Sequence, residues 1–236
     1  MTPQLERARR LLRSARRISV LTGAGISAES GIPTFRSAGG LWRNFRPEDL
    51  ATPEAFDRDP VTVWEWYLWR RELIRKAEPN PGHLALVTLE QRTPEFTLIT
   101  QNVDGLHDRA GSRRILKVHG DIWTNRCRDC GSEIPELPDE RPPRCSCGGL
   151  LRPGVVWFGE ALPAGVWQQA EAAASKAEVM LVVGTSAQVY PAAGMVPYAQ
   201  QNGAAVIEVN PEATTFSDSI DVSLRCPSGE ILPQMV

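Results

Sequence analysis

The sequence predicts an α/β fold, a doubly wound parallel sheet from which a smaller lobe departs. Three observations carry this. Short apolar runs recur at Ile18–Leu21, Phe96–Thr100, Ile115–Val118, Val179–Val183, Ala205–Val209 and Ile220–Leu224. Helical stretches, such as Pro81–Gln91, Pro163–Lys176 and Ala192–Asn202, lie between many of them. Strands alternating with helices build parallel sheets covered on both faces. Third, the first run feeds a glycine-rich loop, Thr22-Gly23-Ala24-Gly25, at the end of a strand, where such sheets bind ligands.

Residues 1–17 come first in chain order. Leu5, Ala8, Leu11, Leu12 and Ala15 fall on one helical face, and Arg7, Arg9, Arg10, Arg13, Arg16 and Arg17 surround it. Such arginine content also suits a transit peptide. The first strand follows at once and leaves no spacer for cleavage, so the reading favours a structural amphipathic helix. Two stretches then break the alternation. Residues 37–80 are helical and rich in aromatics (Trp42, Phe45, Trp64, Trp66, Tyr67, Trp69), and residues 122–151 are rich in cysteine and proline. The expected organisation is therefore a sheet unit of residues 1–36, 81–121 and 152–236, with 37–80 and 122–151 forming a smaller lobe across a cleft.

The chain has 236 residues and a net charge of −2. That balance gives no general attraction to nucleic acid or to a membrane surface. No apolar run approaches the ~20 residues that span a bilayer. The short stretch after Pro233 leaves little room for a targeting tail, so the expected setting is the cytoplasm, of a bacterium on grounds of compactness.

Four of the five cysteines crowd together: Cys127-x-x-Cys130, fourteen residues, then Cys145-x-Cys147. Thiolates in two close pairs suit tetrahedral zinc, and four protein ligands leave no position for a reactive water. One structural zinc ion is expected, with free or redox thiols as the alternative. Gly148 and Gly149 are placed to turn the tighter second pair. Cys226 reads as a small buried hydrophobe.

The run Phe96–Ile99 delivers Thr100-Gln101-Asn102-Val103-Asp104-Gly105-Leu106-His107, and Ile115–Val118 delivers His119-Gly120-Asp121. Amides, a carboxylate and an imidazole at strand ends suit a ligand site, and a histidine there suits a general base. Asn102 and Asp104 are equally suited to capping the turn at Gly105, and His119 to a satisfied core position. The glycine loop has a similar ambiguity: Gly23 and Gly25 match the first two glycines of a dinucleotide fingerprint, but Ala28 stands at the third place.

Taken together, these motifs resemble the sirtuin family, the NAD-dependent protein deacylases. The resemblance runs through Gly23 to Arg36, Thr100 to His107, His119-Gly120, the four cysteines, Val155-Val156-Trp157-Phe158-Gly159-Glu160, Gly184-Thr185-Ser186 and Val209-Asn210-Pro211-Glu212. It implies a Rossmann-like NAD domain with a helical and zinc-ribbon lobe. It also implies that Gly23, Ala24, Gly25, Glu29, Thr34, Phe35 and Arg36, with Trp42, hold the pyrophosphate and part of the nicotinamide ribose. Gln101 would bind ribose hydroxyls. Asn102, Val103 and Asp104 would face the nicotinamide side, Asn102 and Asp104 sharing in catalysis with the base His119. Gly184, Thr185, Ser186, Asn210, Pro211, Glu212 and Ser228 would line the adenosine half. Val155 to Phe158 would pair with a substrate peptide as an added strand. The implied reaction consumes NAD, releasing nicotinamide, an O-acyl-ADP-ribose and free lysine. The implied partners are acyl-lysine side chains of proteins, and the protein itself is expected to be a monomer or weak oligomer.

Tyr67 and Arg70 lie three apart on a helix expected over residues 60–76 and so share a face. A phenol beside a guanidinium suits a carboxylate. The pair resembles the signature of the sirtuins that remove succinyl and malonyl groups, and Ala51 matches a small residue that leaves room for such chains. Packing of Tyr67 and a solvated pair of Arg70 with Glu65 or Glu78 is the plainer alternative. The rival activities are a deacetylase without acidic-acyl preference, an ADP-ribosyltransferase, a dehydrogenase, and a zinc-ribbon binding module without catalysis. Against a dehydrogenase stands Ala28, and against a pure binder stand Gln101, Asn102, Asp104 and His119.

Overall fold

A computed structural model describes residues 2–34 and 46–236. The chain opens with α1 (Pro3–Ser14), whose first turn is capped by the Thr2 hydroxyl accepting from Leu5 N–H at 3.3 Å. Leu5, Ala8 and Leu12 are buried against the sheet, so the arginine-rich segment is a packed helix, as its periodicity predicts. Next come β1 (Arg17–Thr22) and a 3₁₀ turn over Ala24–Ser30. Beyond residue 46 lie α2 (Pro47–Leu50), α3 (Pro53–Arg58) and α4 (Pro60–Lys76). They are followed by α5 (Pro81–Arg92), β2 (Glu95–Thr100), α6 (Leu106–Ala110) and β3 (Ile115–Lys117). A ribbon of β4 (Gly120–Cys127), β5 (Glu133–Ile134) and β6 (Leu151–Val155) intervenes. The chain closes with α7 (Ala164–Lys176), β7 (Val179–Val183), α8 (Met195–Gln201), β8 (Ala205–Val209), β9 (Val222–Leu224) and α9 (Ser228–Met235).

Among the described residues the larger sheet has six strands in the order β3-β2-β1-β7-β8-β9, and every pairing is parallel. The order reverses between β1 and β7, which opens a crevice beyond their carboxyl ends. One face of the sheet packs under α1, α5 and α9, the other under α7 and α8. The alternation predicted from sequence is thus observed, although the run expected over residues 220–224 is strand only in β9. The stretch 192–202 divides into a 3₁₀ turn, Ala192–Gly194, and α8.

The smaller sheet is antiparallel, in the order β5-β4-β6. The helix α4 lies against it. Trp64 Nε1 donates to Leu151 O at 2.8 Å, and Arg71 donates to Ile122 O and Asn125 Oδ1 at 2.8 and 2.9 Å. Trp64, Phe56, Ile74, Cys127, Leu151 and Trp157 share one buried cluster, so both excursions contribute to a common core. No helix among the described residues is long and apolar enough to cross a membrane.

Candidate active site

The site lies at the carboxyl edge of the larger sheet, and its glycines answer first to packing. Gly23 N–H donates to Val183 O at 3.0 Å and Gly25 N–H to Gly184 O at 2.7 Å. A Cβ on Gly25 would meet Gly184 Cα at 2.7 Å, and one on Gly23 would meet Thr185 Cβ at 2.8 Å. The loops after β1 and β7 therefore touch backbone to backbone. These two glycines spend their N–H groups on that contact, so close approach of the two loops is itself a reason for glycine at both positions. Ala24 begins the 3₁₀ turn. Thr34 is half-buried; Phe35, Arg36 and Trp42 lie outside the described residues.

The segment after β2 is stitched down on both sides. Gln101 Nε2 reaches Thr185 Oγ1 at 3.1 Å, and Asn102 Nδ2 donates to Gly23 O at 3.1 Å. Ile122 N–H donates to Val103 O at 3.0 Å, and Trp123 Nε1 to Asp104 O at 3.0 Å. The Asp104 carboxylate is buried and accepts from Ser27 Oγ–H at 2.8 Å and Leu106 N–H at 2.9 Å. Burial pushes its pKa up, and those hydrogen bonds and the Arg70 charge only partly oppose it.

Beneath this segment sit two histidines whose roles are not evident from sequence. His83 Nδ1 accepts from Asn80 N–H at 3.3 Å, which leaves the proton on Nε2, 3.5 Å from Ser27 Oγ. His107 Nε2 lies 3.0 Å from Thr22 Oγ1, whose own proton goes to Thr100 Oγ1 at 2.8 Å. The two rings are 4.9 Å apart. Burial lowers the pKa of His83 to about 4 and that of His107 to about 3. Both are neutral at physiological pH. Ser27, His83 and His107 meet the site only through the fold, and only strand-end placement hinted at His107.

His119 stands just before β4 and is half-buried. Its Nδ1 is 3.1 Å from Gln101 O. A carbonyl oxygen can only accept, so Nδ1 carries the proton and Nε2 is left as the basic nitrogen. Burial lowers its pKa, against the Gln101 hydrogen bond, which raises it.

On the far side of β1, Gly184 and Thr185 are buried, Ser186 is half-buried, and Ala187 takes a positive φ of 54° in the same loop. Asn210 Nδ2 donates to Glu212 O at 2.8 Å, and Pro211 and Glu212 are exposed. Buried Glu208 accepts from Ser217, Ser223 and Arg225 at 2.7, 3.0 and 2.6 Å and so holds the chain beyond Asn210. Glu29 and Ser228, both expected near a ligand, bind each other. Glu29 Oε2 accepts from Ser228 Oγ at 3.0 Å and Gly229 N–H at 2.7 Å. A carboxylate at the start of α9 satisfies helix donors that have no partner within the helix.

The residues expected to meet the acyl chain converge. Tyr67 and Arg70 are both buried, at 2% and 6% exposure, so Arg70 is not the solvated partner of Glu65 or Glu78. The Arg70 guanidinium lies 4.8 Å from the Trp66 ring and 5.6 Å from the Tyr67 ring. Burial lowers the Arg70 pKa and raises that of Tyr67. Trp157 Nε1 donates to Tyr67 Oη at 2.9 Å, and Phe158 N–H donates to Ala51 O at 2.9 Å. The backbone of Val155 to Phe158 behaves differently from the expectation of an added strand. Val155 pairs with Gly120, and Val156 N–H goes to His119 O at 2.9 Å. Trp157 N–H goes to Glu160 Oε2 at 2.8 Å. The N–H groups of residues 156–158 are thus committed within the chain because the loop turns back at Gly159, φ 87°.

The sulfurs of Cys127, Cys130, Cys145 and Cys147 all lie within 4.8 Å of one another. Two of the separations are 3.5 and 3.8 Å. A tetrahedron with Zn–S near 2.3 Å has edges of about 3.8 Å, so the four thiolates fit one structural zinc ion. Gly131 and Gly148, at φ 72° and 91°, turn the two knuckles, as expected for Gly148.

A six-stranded parallel sheet whose strand order reverses at a crevice, with amides and an imidazole at that edge and four clustered cysteines in the smaller lobe, defines a Rossmann-like enzyme with a zinc-ribbon lobe. The Sir2 family profile matches residues 23–191. An NAD-dependent protein deacylase of Aquifex aeolicus is 58% identical over 213 residues, 88% of this chain and 89% of its own length. NAD-dependent protein deacylase 2 of Pyrobaculum aerophilum is 55% identical over 229 residues, 96% of this chain and 92% of its own. A solved Sir2 homologue–NAD complex superposes with a TM-score of 0.92 at 46% identity, covering 98% of this chain and 91% of that one. A Sir2–p53 peptide–NAD+ complex superposes with a TM-score of 0.90 at 30% identity, covering 99% and 97%. The chain belongs to the Sir2 family, the family its motifs resemble.

Proposed function

We infer that the protein is an NAD-dependent protein-lysine deacylase whose acyl pocket prefers succinyl and malonyl groups while also admitting acetyl. The deacylase reading rests on family membership and on relatives that bear that name over nearly their whole length. The site chemistry agrees with it. Hydroxyl and amide groups of Gln101, Asn102, Thr185, Ser186 and Asn210 stand along the crevice edge, a donor set that suits ribose hydroxyls. NAD supplies an activated ribose carbon with nicotinamide as its leaving group. His119, with its proton held on Nδ1 by Gln101, uses Nε2 to take a proton from a ribose hydroxyl. On this reading Asn102 and Asp104 face the nicotinamide side, and the Asp104 carboxyl is buried there.

The acidic-acyl preference is carried by one observation: a guanidinium and a phenol, both buried, three residues apart on one helix face. A buried guanidinium is costly and suits a pocket whose ligand brings a carboxylate. Protein side chains bearing acyl-lysine are the proposed partners.

The test uses purified protein, NAD and matched acetyl-, malonyl- and succinyl-lysine peptides, read by mass spectrometry. Nicotinamide and deacylated peptide should form in equal amounts. NADH, or ADP-ribose attached to protein, would overturn the deacylase reading. Arg70→Met should lower the succinyl-over-acetyl ratio of kcat/KM by about 10- to 100-fold, the worth of a charged hydrogen bond. Equal loss on both substrates would remove Arg70 from acyl recognition.

A further inference from the structure

We propose that Trp157 is a specificity-positioning residue: its indole N–H fixes the Tyr67 hydroxyl so that the phenol donates its proton to the acyl carboxylate. This rests on the acidic-acyl reading of Tyr67 and Arg70.

The argument starts from the donor inventory. An indole nitrogen only donates, so at 2.9 Å the Tyr67 oxygen must accept from Trp157. That bond occupies a lone pair and directs the hydroxyl proton away from Trp157. The proton needs an acceptor, because Tyr67 is buried. A carboxylate lying between Tyr67 and Arg70 provides one. An acetyl group, which ends in a methyl, does not.

Trp157 is itself held from several directions. The Arg152 guanidinium stacks 3.5 Å from the centre of its ring. The same guanidinium binds Glu160 through two nitrogens, at 2.5 and 2.8 Å, and reaches Val155 O at 2.9 Å. Glu160 accepts the Trp157 backbone N–H at 2.8 Å. Phe56 packs against the indole, with ring centres 5.2 Å apart. The indole is therefore pinned from behind by Arg152, Glu160 and Phe56. Plain packing needs neither the N–H aimed at a phenol nor the Arg152–Glu160 clamp behind it.

The experiment compares the parent protein with Trp157→Phe, Tyr67→Phe and the double variant, measuring kcat and KM on succinyl- and acetyl-lysine peptides. Trp157→Phe keeps an aromatic ring for packing and stacking and deletes the donor. It should lower the succinyl-over-acetyl ratio of kcat/KM by about 3- to 10-fold, mostly through the succinyl KM. The double variant should discriminate no worse than Tyr67→Phe alone, since both act through one hydroxyl. An unchanged ratio, or additive losses in the double variant, would overturn the proposal. If Trp157→Phe does not fold, Arg152→Met loosens the same indole from behind. A selective succinyl loss there supports the proposal, and equal losses overturn it. Arg70→Met and Tyr67→Phe serve as the reference. If neither alters the ratio, the acidic-acyl reading itself fails. If both do and Trp157→Phe does not, only the role of Trp157 falls.

Discussion

Acidification to pH 5.0 should cost this fold about 2 kcal/mol for each of two buried histidines. His83 and His107 are 0% and 2% exposed, and their pKa values are lowered to about 4 and about 3. An unfolded histidine titrates near 6.5. A depressed pKa contributes stability that is fully present above the unfolded value and is lost as pH falls toward the folded one. At pH 5.0 the unfolded imidazole gains a factor of about 30 from protonation, while the folded one gains almost nothing. That ratio corresponds to about 2 kcal/mol per histidine. Asp104 acts in the opposite sense, because its raised pKa lets the folded state take a proton more readily than the unfolded chain. The comparison must therefore be internal. Urea unfolding followed by tryptophan fluorescence, at pH 7.5 and 5.0, is run on the parent and on His107→Gln. Contributions shared by both proteins, from Asp104 and from the cysteine thiols, cancel in the difference. The variant should lose about 2 kcal/mol less than the parent between the two pH values. Identical losses would refute the reasoning. Imidazole NMR signals give a second check, since neither ring should titrate between pH 7.5 and 5.0.

Two further predictions follow from the loops and the ribbon. Purified protein should carry one zinc ion per chain by elemental analysis. Its chelation should melt the β4-β5-β6 sheet in near-ultraviolet circular dichroism and abolish turnover, whereas full activity without metal would deny zinc its structural role. Gly184→Ala should destabilise the protein by about 2–4 kcal/mol in urea, because φ is 59° and the new Cβ would lie 2.3 Å from Ile26 N. Gly203→Ala, with φ 90° but nothing within 4 Å, should cost about 1 kcal/mol, and equal costs at both positions would show that loop contact is not what Gly184 serves.

The sheet was legible because buried strands are short apolar runs and covering helices repeat with their own period. The cysteines were legible because ligand spacing is local. Gln101, Asn102, Asp104 and His119 were legible as residues at strand ends, and the structure gathers them at one edge. What escaped the sequence depends on partners far apart in the chain. Ser27 meets Asp104 across 77 positions, and Glu29 meets Ser228 across 199. The glycines of the first loop show this most clearly. Their spacing suggests close approach to a pyrophosphate, yet their N–H groups go to β7 and the loop after it. Local pattern identifies a residue that must be glycine without identifying what comes close to it.

One strand joins these parts. β4 begins at Gly120, immediately after His119, and ends at the zinc ligand Cys127. Along the way Ile122 N–H and Trp123 Nε1 hold the backbone carbonyls of Val103 and Asp104. On its other edge β6 pairs with Gly120 through Val155 and leads to Trp157, whose indole binds Tyr67. The proposed base, the segment proposed to face nicotinamide and the proposed acyl pocket are therefore referenced to the same ribbon. Eight residues of strand reach about 25 Å, so the metal stands far from the chemistry. It contributes nonetheless, because the four thiolates fix the far end of the strand from which each of these groups is hung. A ribbon that lost its metal would release the registration of Val103, Asp104 and Val156 together. Loss of activity on chelation would then follow from geometry, with no part for zinc in the bond-making step.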